Sequence, residues 1–266
     1  MARLHVGGLV ALALFMGAPA RTQAEAEALD LAPARACLEQ NVPKATIAFR
    51  AEFTKVDRVG GERTNRANVF GKKFADGMRR IVLRFDRPAE MRGSAMLMIE
   101  SASGPSDFYV YSPDERKVRR VQGRSNSGLF GTDFSYDDFE NWRSFQKHGK
   151  AQRMPDAAVS GRPVYVVESS PAADEQSSYE RIVTSVDRES CVVLQVDSFE
   201  PGGRLRKVLR ADPAKVQSVG TLKIATGLEL EDVVDQTKTR VSLDSVKLDA
   251  NLPDSRFRPT DLGSGS

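Results

Sequence analysis

Apolar and polar residues alternate through most of this chain, and the alternation is clearest between residues 107 and 122. Phe108 and Val110 alternate with polar neighbours before a Ser-Pro-Asp turn at residues 112–114, and Val118 continues the alternation after it. A period of two residues is typical of half-buried antiparallel strands, and proline presets the backbone of the turn. The pattern therefore predicts a β-hairpin.

The same period recurs from residue 46 to residue 248 and predicts roughly eleven antiparallel strands. Asp76-Gly77 is a strong hairpin turn between two of them. Residues 222–233 are predicted to form one strand, and the polar residues 146–155 a connection. In the last strand the apolar residues change sides near Ser245, which predicts a β-bulge.

The helical signals are few. Residues 24–41 are rich in Ala, Leu and Glu and end near Pro43, so they predict a helix at the beginning of the domain. The predicted class is α+β, a large curled antiparallel sheet covered by two or three helices. A sheet of this many strands tends to curl into an unclosed barrel, but the alternation alone is equally compatible with a β-sandwich.

A second helix is predicted over residues 135–145 because its beginning carries several start signals. Ser135 is a favourable N-cap, and Asp138 occupies the capping-box position three residues later. Phe134 and Phe139 are spaced as a hydrophobic staple. These signals predict a helix that is docked firmly on the sheet.

Several segments of the chain resemble one protein group. The string YSPDERKVRRVQGRSNSGLFGTDFSYDDFE resembles the LolA-like outer membrane lipoprotein-sorting proteins. So do RFDRPAEMRGSAMLMIES, GRPVYVVES, YERIVTSVDRESCVVLQV and the closing DSRFRP. The resemblance implies an unclosed antiparallel barrel whose concave apolar face is covered by helices. It also implies a carrier of lipids or lipoproteins.

The N-terminus indicates export. A polar beginning is followed by an apolar stretch at residues 6–16 and by small residues, which is the pattern of a secretory signal peptide. Cleavage is expected after Ala20 or Ala24, so residues 1–24 would be removed in the periplasm. Residues 25–262 are then expected to form a single domain, and residues 263–266 a flexible tail.

Charge and cysteine content narrow the class further. Lys and Arg number 39 against 36 Asp and Glu, a near balance that argues against nucleic-acid binding. We expect a monomer.

The two cysteines, Cys37 and Cys191, would both be exported, and an even count in an oxidising compartment favours a disulfide. The alternative is two unrelated buried thiols.

Motifs for catalysis and metal binding are weak. His148 is the histidine left after export and lies between lysines, and no G-x-S-x-G motif occurs. An EF-hand loop beginning at Asp133 would place Asp138 where glycine is needed and Ser144 where glutamate is needed. We therefore expect no enzyme activity, no metal and no cofactor.

Two groups of residues are candidates for binding. The first group is apolar and would line a ligand cleft, and it consists of Met96, Met98, Leu129, Phe130 and Phe134. The alternative is that these residues are ordinary core residues. The second is basic, and its members are also explained as a solvated strand edge: Arg116, Arg119, Arg120 and Arg124. The basic group would meet anionic head groups or an acidic patch of a partner.

These features lead to two hypotheses. The first is a periplasmic carrier or chaperone for a lipid or an acylated lipoprotein bound for the outer membrane. The second is an accessory protein that docks on an inner-membrane transporter of the resistance-nodulation-division type through the basic residues. In the carrier, residues 123–140 would form a gate with Leu129 and Phe130 at its tip. The alternative is that these two residues plug the core.

Overall fold

The computed structural model describes Met1 and residues 29–264, apart from residues 103, 122–127, 142–149 and 172–176. The predicted signal peptide, with its cleavage sites after Ala20 and Ala24, lies outside the described residues. Helix α1 spans Ala32–Gln40 and helix α2 spans Tyr136–Asn141. Whether residues 25–262 fold as one domain, and whether the last four residues are flexible, stay predictions.

Antiparallel strands make up most of the described chain. The first seven strands are β1 Thr46–Val56, β2 Glu62–Lys73, β3 Arg79–Arg87, β4 Ala95–Ile99, β5 Asp107–Ser112, β6 Lys117–Arg120 and β7 Lys150–Val159. The next four are β8 Arg162–Ser170, β9 Arg181–Asp187, β10 Val193–Glu200 and β11 Arg204–Ala211. The last four are β12 Val216–Val219, β13 Leu222–Ala225, β14 Gly227–Asp232 and β15 Thr237–Leu248.

Thirteen of these strands form one sheet in the order β6-β5-β4-β3-β2-β1-β15-β14-β11-β10-β9-β8-β7. The first and last strands of the chain pair with each other, since β1 lies against β15 from Val56↔Lys238 to Ile47↔Leu248. Strands β6 and β7 lie at the two ends of the order. Within the described residues the sheet is therefore curled but unclosed, as predicted.

The expected count of eleven strands was wrong. The main sheet has thirteen strands, and β12 and β13 form a separate hairpin. The polar segment expected as a connection contains the beginning of β7, an edge strand whose partly exposed side chains need not alternate. The single strand expected over residues 222–233 divides at Thr226, because β13 pairs with β12 whereas β14 pairs with β11 and β15.

Two local predictions are confirmed by the backbone. Ser245 has a φ of 56°, and the register of β1 against β15 shifts between Ala48 and Arg50, which places a bulge at this position. Gly77 has a φ of 81° in the turn between β2 and β3. A positive φ is unstrained in glycine, so the Asp76-Gly77 signal identified a conformational requirement of the turn.

The sheet has two apolar faces because side chains alternate along each strand. Leu83 and Phe85 of β3 lie in the large concave core, whereas Val82 lies in a second cluster on the convex face. The C-terminal segment covers that convex cluster with the buried side chains of Phe257 and Leu262. The concave face is covered by α1 and by the segment that contains α2.

Candidate ligand site on the concave face

The concave face is lined by apolar side chains from both halves of the sheet. Members of this buried cluster come from ten strands: Ala51, Phe53, Ala67, Val69, Leu83, Phe85, Met96, Met98, Phe108, Ile182, Val196, Leu209, Leu230 and Val241. Their positions follow the period of two that the sequence shows. The sheet thus presents one continuous apolar surface towards the covering segments.

Residues 128–141, which we call the plug, fill the part of this concavity between β1–β5 and β11. The Phe130 ring lies 4.6 Å from the Phe85 ring, and the Phe134 ring 6.1 Å from the Phe53 ring, measured between centroids. Phe134 is buried, and Leu129 and Phe130 are partly buried against the same cluster. The apolar candidates predicted from the sequence therefore come together in one place.

The tip of the plug has a strained backbone. Phe130 has a φ of 52°, a left-handed conformation that is costly for an aromatic residue. The side-chain amide of Asn65 donates a hydrogen bond of 2.6 Å to the Phe130 carbonyl and helps to hold it there. The sheet thus retains the tip through one hydrogen bond and ring packing.

Helix α2 begins as the sequence predicted. The Ser135 N–H donates to Asp138 Oδ2 at 2.7 Å, and the Asp138 N–H donates to Ser135 Oγ at 3.3 Å, which completes a capping box. The rings of Phe134 and Phe139 lie 5.8 Å apart and form the staple. Local sequence therefore determines where this helix starts.

Beneath the plug lies a buried polar network that joins it to the sheet. Lys207 of β11 is 1% exposed, and its Nζ donates to Asp138 Oδ2 and to the Asp133 carbonyl, each at 2.7 Å. Tyr179 donates its hydroxyl hydrogen bond to Asp138 Oδ1 at 2.7 Å. Burial, followed by the nearby Asp138 carboxylate, raises the pKa of Tyr179, so its hydroxyl remains a donor.

Asp133 forms the second part of the network. Its carboxylate accepts hydrogen bonds from Thr237 at 2.6 Å and from Thr239 at 2.7 Å, and Lys55 Nζ lies 2.8 Å from its Oδ1. Asp133 is 4% exposed, whereas the Lys55 side chain is 30% exposed. A buried carboxylate without such partners would cost several kcal/mol, so these contacts are required for the plug to stay in place.

A polar pocket of about 240 Å³ opens beside this network at the rim of the sheet. Its lining consists of Lys55, Gly128, Thr132, Asp133, Arg206, Asp232 and Asp235. Arg206 donates to Asp232 and to Asp235, each at 2.7 Å. A side chain at Gly128 would lie 1.8 Å from the Thr132 carbonyl oxygen, so the tight fold of the plug requires glycine there.

Helix α1 covers the other part of the concave face. Ala34, Cys37 and Leu38 pack against Val167 and Val186 of β8 and β9. The predicted disulfide is present, and it joins Cys37 to Cys191 with their Cα atoms 5.1 Å apart. This helix is therefore held covalently as well as by packing.

The basic candidates lie apart from this site, in and beside the turn between β5 and β6. Arg119 pairs with Glu115 at 2.9 Å, and Arg120 pairs with Asp107 at 2.5 Å. Arg116 has a φ of 49°, and Arg124 lies outside the described residues. Two of the described arginines are thus engaged with carboxylates of their own hairpin.

Lys55 and Lys207 were not identified as site residues from the sequence, although a signal was available. Lys207 lies two residues after Leu205 and two residues before Leu209, and Lys55 lies two residues after Phe53. Both lysines therefore occupy positions on the apolar face. A charged residue on the buried face of a strand implies a buried partner.

Metal-binding clusters and membrane-spanning helices are both absent from the residues that the structure describes. These residues contain no group of three or more His, Cys, Asp or Glu side chains placed to hold a metal ion. Among them there is also no helix long and apolar enough to cross a membrane.

A family model with the description "uncharacterized protein" matches residues 77–264, which are most of the chain. The chain belongs to this family. No curated protein matches the sequence. The matched residues include the plug and thirteen of the fifteen strands, from β3 to β15.

Solved structures show the same fold. The outer membrane lipoprotein-sorting protein domain of Vibrio parahaemolyticus is 18% identical, with a TM-score of 0.79 over 87% of this chain and 97% of that one. A DUF1329 family protein of Desulfovibrio piger is 22% identical, with a TM-score of 0.79 over 87% and 96%. A LolA superfamily protein of Nitrosomonas europaea is 19% identical, with a TM-score of 0.66 over 85% and 97%. The LolA-like resemblance is confirmed at the level of the fold.

Proposed function

We propose that this protein is a periplasmic, non-enzymatic carrier or chaperone that binds the acyl part of a lipid or lipoprotein on its concave face. The observation that carries the proposal is the continuous apolar surface of the curled sheet, which separate segments cover instead of a second sheet. Each CH₂ group kept out of water contributes about 0.8 kcal/mol, so such a surface can retain an acyl chain. The names of two structural neighbours, a lipoprotein-sorting domain and a LolA superfamily protein, favour this cargo class.

In the structure the plug occupies the concavity, so the carrier requires the plug to move when cargo binds. Leu129 and Phe130 would leave the apolar face, and Met96, Met98 and the sheet residues around them would contact the acyl chain. The plug is suited to this exchange because it is attached by side-chain contacts rather than by strand pairing. Phe130 would also relax its strained backbone on release.

Native mass spectrometry of the protein purified from the periplasm tests the proposal. We expect copurified lipid or acylated peptide, and binding of such ligands by delipidated protein. Hydrogen exchange then tests the plug, since residues 128–141 should change their protection when ligand binds, whereas α1 should not. A protein that is always empty and has no affinity for lipids or acylated peptides contradicts the proposal.

The second candidate is an interaction module that docks on a transporter of the resistance-nodulation-division type. The observation in its favour is that the concave face is filled with side chains, as it would be in a protein without lipid cargo. The exposed hairpin that carries Arg116, Arg119 and Arg120 would be its docking surface. Crosslinking in cells separates the two candidates, because a stable complex that requires these arginines favours the module.

A further inference from the structure

The plug carries two chemical features of an anionic lipid. Leu129, Phe130 and Phe134 contribute apolar groups that pack on the concave face. Asp133 and Asp138 contribute carboxylates that reach lysines of the sheet. Apolar groups and anionic groups therefore occupy adjoining parts of one site.

The two lysines belong to the sheet, and their carboxylate partners belong to the plug. Lys55 pairs with Asp133 at 2.8 Å, and Lys207 pairs with Asp138 at 2.7 Å. Across the described residues, no sheet carboxylate forms an ion pair with either lysine within 4 Å. The neighbouring Arg206 differs from these lysines, because it forms ion pairs with Asp232 and Asp235, neither of which belongs to the plug.

Movement of the plug would therefore leave two ammonium groups without partners. Lys207 is 1% exposed beneath the plug, and a ligand that takes the place of the plug would bury the same ammonium group again. If that group is buried without a partner, the cost is several kcal/mol. An uncharged ligand would cover the apolar face and leave this cost in place. A ligand with a carboxylate or phosphate beside its acyl chain would remove the cost by pairing with the lysines.

The rim pocket indicates where the anionic group would bind first. Lys55 lines this pocket together with Asp133, and its side chain is 30% exposed. The two other carboxylates of the pocket are both paired with Arg206. An anion that enters from solvent therefore meets Lys55 before it meets the deeper Lys207. In the first step, the anionic group of the ligand would displace the Asp133 carboxylate from the Lys55 ammonium group.

We infer that Lys55 and Lys207 form an anion subsite that the plug carboxylates occupy in the closed protein and that an anionic amphiphile takes over. This inference rests on the proposed carrier function and specifies its ligand class. The plug and the ligand compete for the same cations. Removal of Asp133 should therefore favour anionic ligands, and removal of the Lys55 charge should disfavour them.

The experiment compares ligands that share one acyl chain. Calorimetry of delipidated protein is performed with palmitate and palmitoyl lysophosphatidate as the anionic ligands and with monopalmitin as the uncharged one. Inorganic phosphate and acetate serve as free anions, which distinguish a lipid head group from an anion alone. The readout is the ratio of anionic to uncharged affinity, because a general change in stability or plug opening affects both ligands.

Lys55→Gln should lower this ratio about ten-fold or more, whereas Lys55→Arg should largely retain it. Asp133→Asn should raise it, since the competing carboxylate is gone. The control is Lys72→Gln, because Lys72 has a similar exposure of 25% and a 2.8 Å pair with Asp254 on the other side of the sheet. This control should leave the ratio unchanged.

The experiment distinguishes failure of the anion subsite from failure of the carrier function. If all three lipids bind and Lys55→Gln and Asp133→Asn leave the ratio unchanged, the anion subsite is wrong and the carrier stands. If wild type binds phosphate or acetate as tightly as the anionic lipids, the subsite is specific for free anions and the inference about amphiphiles is wrong. If wild type binds none of the lipids, the carrier and the subsite are both contradicted.

Discussion

The two segments that cover the concave face are attached to the sheet in different ways. Helix α1 is crosslinked by the Cys37–Cys191 disulfide, and the Asn41 side chain binds the backbone of Lys223 in the β12–β13 hairpin. The plug is attached by ring packing and by the ion pairs of Asp133 and Asp138. The attachment of α1 is covalent, whereas the attachment of the plug is noncovalent.

Because of this difference, we expect α1 and the plug to behave differently when the protein opens locally. A disulfide persists through local opening, so α1 stays on its part of the sheet as long as the compartment is oxidising. In the proposed carrier, the plug would leave when its contacts are replaced by others of similar strength. A binding site on the concave face would then open on the plug side, with α1 as a fixed wall.

The largest expected effect comes from removal of the covalent attachment. Cys37→Ser combined with Cys191→Ser should destabilise the protein by up to about 5 kcal/mol, because the crosslink closes a loop of 154 residues. Denaturant unfolding measures the change, and reduced wild type provides the matched control. A loss below about 1 kcal/mol would show that packing alone holds α1.

The next largest effect is expected from the loss of apolar contacts between the plug and the sheet. Phe134 is 3% exposed, and Phe134→Ala should cost about 3 to 4 kcal/mol through lost contacts and a cavity. Hydrogen exchange should accelerate more in residues 128–141 than in α1. Phe257→Ala on the convex face is the control, and the same exchange pattern in both variants would contradict a plug that opens separately.

A smaller, pH-dependent effect is expected beside α1. Burial raises the pKa of Asp187, but the Arg162 guanidinium and the backbone N–H groups of Ser190 and Glu189 outweigh it and lower this pKa to about 2. Since the folded pKa is lowered, the stabilisation is complete above the unfolded value near 3.8 and is lost as the pH falls towards 2.

Asp187→Asn should therefore cost about 1 to 3 kcal/mol near neutral pH and progressively less below pH 4. Unfolding curves of wild type and variant at several pH values measure the difference. Because Asp187 is the last residue of β9, directly before the turn that leads to Cys191, the variant should loosen α1 and leave the exchange of the plug unchanged. A cost that stays constant from pH 7 to about pH 2 would contradict the assignment.

The smallest effect concerns the beginning of α2. Ser135→Ala removes the hydroxyl that accepts from the Asp138 N–H and should cost about 1 kcal/mol. Ser135→Thr retains a hydroxyl and should cost less. An unchanged melting curve for the alanine variant would show that the capping box contributes nothing to the plug.

Local features of this protein were predictable from short stretches of sequence. The cap at Ser135, the bulge at Ser245 and the hairpin turn at Gly77 are all present. Each depends on backbone preferences or hydrogen bonds within a few residues, so neighbouring residues suffice to specify it. The alternation likewise predicted a large antiparallel sheet.

The number of strands was less predictable. Strand β7 lies at an edge of the sheet and carries polar and exposed residues, so burial imposes little pattern on it. The division between β13 and β14 depends on which strands they pair with, and these partners are distant in sequence. The disulfide was predictable from the cysteine count and the expected export, and its attachment to the N-terminal helix followed from the helical pattern around Cys37.

In the candidate site, the difference between what the sequence specifies and what the tertiary structure specifies is clearest. The sequence by itself determined that residues 128–141 contain a capped helix and apolar side chains, and that Lys55 and Lys207 stand at apolar positions of their strands. Only the tertiary structure decided that these lysines meet Asp133 and Asp138, across separations of 78 and 69 residues. A buried charge requires a partner, but the sequence does not identify the partner, because only the curvature of the sheet brings the strands and the plug together.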